Sequence, residues 1–340
     1  MRKRLAALAG LSVALGAGIA WLLLRKEKDV PEHLPIGIGD EEAQERFLKQ
    51  NAAFLAECAK IYVLLEKVFI RSLVSARAEH QVEEIGEGLQ LTEADEIAVQ
   101  DRRMAETVVF YLGRAAADDF GEVLILSGNG RGIGAYKILR GMYERVVTAA
   151  FIAKKPAEAR IFLSHSFIER EKLWNRLKQI LPDVKDERTP QQVKEFDDEC
   201  KEAKAKLKAS ICNKCKQPIT QEQWTRVSLD TMAERADANL AVSYAYCYLL
   251  PTFHSHATAF GLESRLRQTE AGFSFKETSE PEARQALLYA HGLILRLLKF
   301  QNNYFGLGLD AEIDTRWDEF PKIWKRESSE EPPVSPVDGL

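Results

Sequence analysis

From Glu41 to His80 the chain contains neither proline nor glycine. Phe47, Phe54, Cys58, Ile61, Leu65, Val68 and Phe69 recur there mostly at three- and four-residue steps. That spacing puts apolar side chains on one face of an α-helix, whereas a half-buried strand would need every second residue. A chain with so long an amphipathic helix must bury one face against other helices. Its 340 residues are enough for a sizeable core.

The same signals recur downstream. Thr92-x-x-Asp95 precedes an amphipathic run to Leu112. Gly132 to Ala153 reads as an apolar helix, and Pro156 heads Ala157 to Leu181, where a first-turn proline belongs. Thr189-Pro-Gln-Gln192, Thr220-x-x-Gln223 and Ser279-x-x-Glu282 have the form of capping boxes. Glu195 to Lys208 is a charged, solvated helix face. No strand–turn–strand pattern and no internal repeat is evident. The expectation is an all-α multi-helix bundle of seven to nine helices over residues 41–326, with irregular insertions near 83–91 and 209–219. Composition agrees: 46% hydrophobic and 29% charged residues exclude a disordered or collagen-like chain. A mean hydropathy of −0.26 excludes a polytopic membrane protein. With a net charge of −4 and no basic excess, nothing points to nucleic-acid binding.

The average conceals the first residues. Leu5 to Leu24 carries no charge, ends on Trp21-Leu22-Leu23-Leu24, and lies between Arg2-Lys3-Arg4 and Arg25-Lys26. Twenty residues at a rise of about 1.5 Å span about 30 Å, a bilayer core. The apolar run meets Arg25 without a polar cleavage region, so residues 1–28 read as a single-pass transmembrane anchor rather than a signal peptide. Two counts oppose each other on its orientation. Basic side chains lean to an N-terminus inside and a main domain outside the cytoplasm. Five scattered cysteines (Cys58, Cys200, Cys212, Cys215, Cys247) lean to a reducing compartment. Gly10, Ala14 and Gly18 form a small-residue face through which two membrane helices could pair into a homo-oligomer. Residues 29–40 hold Pro31, Pro35, Gly37 and Gly39 and read as a linker; 327–340 reads as a disordered acidic tail.

Several motifs bear on chemistry. Val123 to Gly134, with Ser127-Gly128 and Gly132-Ile133-Gly134, resembles the cofactor loop of short-chain dehydrogenases. Its context argues against a dinucleotide site: a helical stretch precedes it and no second strand follows, so a break between two helices is expected. Cys212-Asn-Lys-Cys215 supplies two zinc ligands of the four required, and His254 and His256 would have to complete the set. Loop thiols are the plainer reading, and no metal or cofactor is expected. Arg140 and Glu144 stand four apart on an otherwise apolar helix. Such a pair is expected to be partly buried and to need polar neighbours. Tyr244, Tyr248, His254 and His256 are the candidates, with one imidazole turned inward and the other elsewhere.

Arg140-x-x-x-Glu144, the Arg- and Lys-rich helix Arg160 to Leu177, Trp224, Ser228-Leu-Asp-Thr-Met-Ala233, Tyr244-x-x-x-Tyr248 and His254/His256 together resemble the bacterial family of unknown function DUF5677, over roughly 105–300. The resemblance implies an all-helical domain and assigns no activity. His254 and His256 compete for one family position, and His256 is preferred. Arg160-Ile-Phe-Leu-Ser-His165 and Arg284-x₆-His291 resemble the Arg-x(4–6)-His motif of HEPN ribonucleases, although Ile161 stands where that motif usually has a polar residue. The main expectation is therefore a membrane-anchored interaction or ligand-sensing module built around a buried Arg/Glu/Tyr/His cluster, with its protein or small-molecule partner open. Arg140, Glu144, His256 and His254 are the candidates for any catalytic role, and Tyr244 and Tyr248 for ligand binding. The alternative is a HEPN-like, metal-independent ribonuclease.

Overall fold

A computed structural model describes residues 41–85, 92–208, 223–269, 272–276 and 279–325. The anchor, linker and tail segments, Thr220, and Cys212 with Cys215 lie outside the described residues. Among the described residues no helix is long and apolar enough to cross a membrane.

The described part is a helical bundle, as the periodicity implied. Helix α1 (Glu41–Gln50) breaks at Asn51 and continues as α2 (Ala52–Ile85). The predicted stripe is the buried one: Phe54, Cys58, Ile61, Leu65, Val68 and Phe69 are all in the core. Helix α3 (Glu93–Gly128) starts at the Thr92 capping box, where Asp95 N–H donates to Thr92 Oγ1 (3.3 Å) and Thr92 N–H to Asp95 Oδ2 (3.2 Å). It runs on past Leu112 because the later turns also find partners: Ala116, Ala117, Phe120 and Val123 are buried. Helices α4 (Gly132–Lys154), α5 (Ala157–Ile180) and α6 (Pro190–Lys208) follow. Thr189 and Gln192 form the second expected capping box.

The glycine-rich Val123–Gly134 stretch is the end of α3, a corner over 129–131 and the start of α4, with no strand in it. Gly130 turns the chain with φ +65°, a conformation that favours glycine. Gly132 lies hard against the next long helix: a Cβ there would fall 2.2 Å from the Ala283 nitrogen. The glycines therefore serve a turn and a close helix contact.

Then come α7 (Leu229–Ala236), α8 (Ala238–Tyr244), a π-helical turn (Ala245–Leu249), α9 (Leu250–Ser255) and α10 (Ala259–Glu263). A hairpin of β1 (Leu266–Thr269) and β2 (Gly272–Phe275) pairs antiparallel, from Leu266↔Phe275 to Thr269↔Gly272. The sequence reading expected no hairpin; its strands are four residues each and mostly exposed, too short to show an alternation. Helices α11 (Glu280–Phe305) and α12 (Asp310–Ile323) close the bundle.

Helices α3 and α4 form the most extensive pair, and α11 packs on both. Leu139, Met142, Val147, Leu287, Ile294 and Leu298 are fully enclosed there. Each such side chain contributes about 1.5–3 kcal/mol of burial. The Ser279 capping box does not form on α11. The Ser279 hydroxyl instead accepts from Ile133 N–H (3.2 Å) and ties the start of α4 to the start of α11.

Candidate functional site

Helix α4 presents Arg140 and Glu144 one turn apart, with Arg140 Nε 3.2 Å from the Glu144 carboxylate. The same helix buries Tyr136 and Tyr143, which anchor it. Tyr143 donates its hydroxyl to the Leu240 carbonyl at 2.7 Å, fixing α8 against α4. Tyr143 was not singled out from the sequence. Its signal would have been a tyrosine on the apolar face of α4, since a buried phenol needs a hydrogen-bond partner.

Opposite α4 the chain passes from α8 through the π-helical turn into α9. Leu250 N–H reaches back to the Ala245 carbonyl. Pro251, one residue later, has no N–H with which to continue an α-helical ladder. Wide turns of this kind recur at functional sites. Here the turn carries Tyr248, which stacks on Tyr244 with ring centroids 5.2 Å apart. The Arg140 guanidinium lies 4.9 Å from the Tyr248 ring centroid, and its Nη2 donates to the Tyr248 hydroxyl at 3.3 Å.

The two candidate histidines separate. Helix α9 ends at Ser255, and His256 continues in extended backbone, which turns it out to the surface. Its Nε2 lies 3.5 Å from Arg140 Nη1. A guanidinium has only donors, so this contact is a hydrogen bond when Nε2 is the acceptor and the imidazole is neutral. His254 instead turns inward. Its ring stacks on Tyr136 at 5.3 Å and 7°, and its Nδ1 lies 3.2 Å from the Ser264 hydroxyl. Burial holds His254 below the usual histidine range.

The cluster thus gathers Arg140, Glu144, Tyr244, Tyr248 and His256, with His254 in the core behind it. The Arg140 and Glu144 side chains are partly buried, as expected, at 25% and 43% exposed, but the cluster is not an enclosed network, because His256 is exposed. The reason is geometric. Arg140 and Glu144 flank the buried Leu139, Met142 and Tyr143 on α4 and are themselves only partly buried.

The ribonuclease-like pairs form no site. Arg160 is bound to Asp101 (2.7 and 3.0 Å) and His165 is buried. His291 is fully enclosed among Phe54, Phe320 and Trp324, and Trp324 Nε1–H donates to its Nδ1 at 2.9 Å. Imidazoles buried in separate environments cannot act together on a phosphodiester. Among the described residues no group of three or more His, Cys, Asp or Glu could hold a metal ion.

Residues 106–273 match a family model described as a family of unknown function, DUF5677. That stretch contains every member of the Arg140 cluster and ends before α11, short of the expected limit near 300. No curated protein and no solved structure matches the chain. The matched stretch runs from within α3 into the hairpin, just under half of the chain, and there the chain is similar to DUF5677, the family its motifs resemble.

Proposed function

We propose that this chain is a membrane-anchored helical module that recognises a small polar ligand at the Arg140 cluster. The observation that carries the reading is convergence on an open face. Arg140 meets Tyr248 and His256, which lie 108 and 116 residues further along the chain, and the groups stay accessible to water. Ion pairs so exposed contribute about 0–1 kcal/mol, so the fold does not need this one. A cation, a carboxylate, a phenol and an imidazole acceptor held together are what orients and polarises a ligand. Arg140 and Glu144 cancel in charge, which suits a hydroxylated or zwitterionic ligand better than a polyanion. The uncharged run Leu5 to Leu24 between basic clusters supports the anchor.

The test is Arg140→Ala in the full chain. Its unfolding free energy should change by less than about 1 kcal/mol. A thermal-shift screen of small hydroxylated and zwitterionic compounds should give hits that stabilise the wild type and leave the variant unmoved. Loss of cooperative unfolding in the variant makes the cluster structural and overturns the reading, as does a screen in which every hit stabilises both proteins alike.

A further inference from the structure

A concave feature lies apart from the Arg140 cluster and shares none of its residues. It is a cleft of about 670 Å³ between α4, the start of α8, α11 and α12. That is within the range of small-molecule sites, roughly 300–1,000 Å³. Its walls are apolar: Val146 and Ala150 from α4, Leu240 from α8, Phe300 and Tyr304 from α11, and Trp317 from α12.

Its charges are uneven. Lys299 is already held by Asp310 and Asp314, each at 2.9 Å. Arg296 is half-buried, with its guanidinium 5.8 Å from the Trp317 ring centroid. Among the described residues it has no carboxylate and no hydrogen-bond partner. Its charge also opposes the rise that burial imposes on the Cys247 thiol and the Tyr143 phenol, so it acts into the bundle as well as into the cleft. Lys154, exposed at the rim, faces a wall that also carries Asp237. Lys299 is taken up by its two aspartates, so Arg296 is the guanidinium of the lining without a carboxylate of its own, above an aromatic floor.

We propose that this cleft binds a small organic monocarboxylate, with the carboxylate on Arg296 and an aromatic or acyl body on Phe300, Tyr304 and Trp317. A guanidinium fork matches a carboxylate in two parallel hydrogen bonds. One unpaired guanidinium among Asp237, Asp310 and Asp314 favours a monoanion over a phosphate dianion. Arg296, Phe300, Tyr304 and Trp317 all lie outside the stretch matched by the family model, so the ligand preference belongs to this chain's own α11 and α12.

The experiment is calorimetric titration of the full chain with 4-phenylbutyrate and indole-3-acetate, each against its uncharged amide, and with inorganic phosphate. The acids should bind at least about tenfold more tightly than the amides, the effect of one charge-assisted pair. Arg296→Gln should remove that difference and leave amide binding as it was. Ala153 also lines the cleft on the α4 side, and Ala153→Phe, which puts a ring into it, should abolish both. Equal binding of acid and amide, or phosphate binding as tightly as the acids, overturns the proposal. So does acid binding unchanged in Arg296→Gln. If Arg296→Gln does not fold, Ala153→Phe decides: a folded variant that still binds the acids overturns the proposal, and one that has lost them supports it.

Discussion

His291 shows how one enclosed residue sets a pH response. Burial alone pulls its imidazole down to about 4. In the unfolded chain the same group titrates near 6.5, so between those values the unfolded state binds more protons than the native one. Stability therefore falls as pH drops from about 6.5 to about 4, by up to about 3 kcal/mol, and levels off below. His254, also lowered by burial, works in the same direction. Asp119 works oppositely: burial raises it to about 6, so its contribution grows as pH falls through that value. Comparing wild type with His291→Gln isolates the histidine. Urea unfolding at a series of pH values should give a profile flatter in the variant between pH 6.5 and 4; parallel profiles would refute the assignment. At this scale the sequence was least informative. His165 and His291 fitted a catalytic spacing, and only their surroundings show two core imidazoles.

Between elements, Glu57 on α2 and Arg316 on α12 form a buried polar link. One guanidinium nitrogen donates to both carboxylate oxygens, at 2.7 and 2.9 Å. The Glu57 side chain is only 3% exposed. Removing Arg316 leaves that carboxylate enclosed with Lys60 as its remaining cation. Arg316→Ala should therefore cost about 3–5 kcal/mol in equilibrium unfolding. Lys67→Ala, which breaks an exposed pair with Glu312 between the same two helices, should cost about 1 kcal/mol or less. Similar losses for the two would show that burial does not distinguish these pairs. Helix ends illustrate what was legible. The Thr92 and Thr189 boxes form because every partner lies within three residues. Ser279 has the same local pattern but gives its hydroxyl to Ile133, 146 residues away, because the tight α4–α11 contact brings that N–H within reach.

At the level of the whole molecule, the chain joins a helical bundle to an N-terminal segment of different composition. Deleting residues 1–28 should move the protein from the membrane fraction to the soluble one, with the helical circular-dichroism signal per described residue unchanged. A full-length chain that stays soluble through carbonate extraction would refute the anchor.

The sequence by itself determined the class of fold and much of its punctuation. Helix periodicity, proline and glycine placement and two local capping boxes are carried by residues a few positions apart, and a helix answers mainly to such neighbours. It also nominated Arg140, Glu144, Tyr248 and a histidine, because charges on an apolar helix need company. Tertiary structure decided the rest. It placed His256 rather than His254 beside Arg140, through the end of α9 and an extended residue. It left the cluster open, with Arg140 and Glu144 partly buried and His256 exposed. It also left Arg296 without a counter-charge, because Asp310 and Asp314 of α12 are taken by Lys299, a pairing that depends on how α11 and α12 pack.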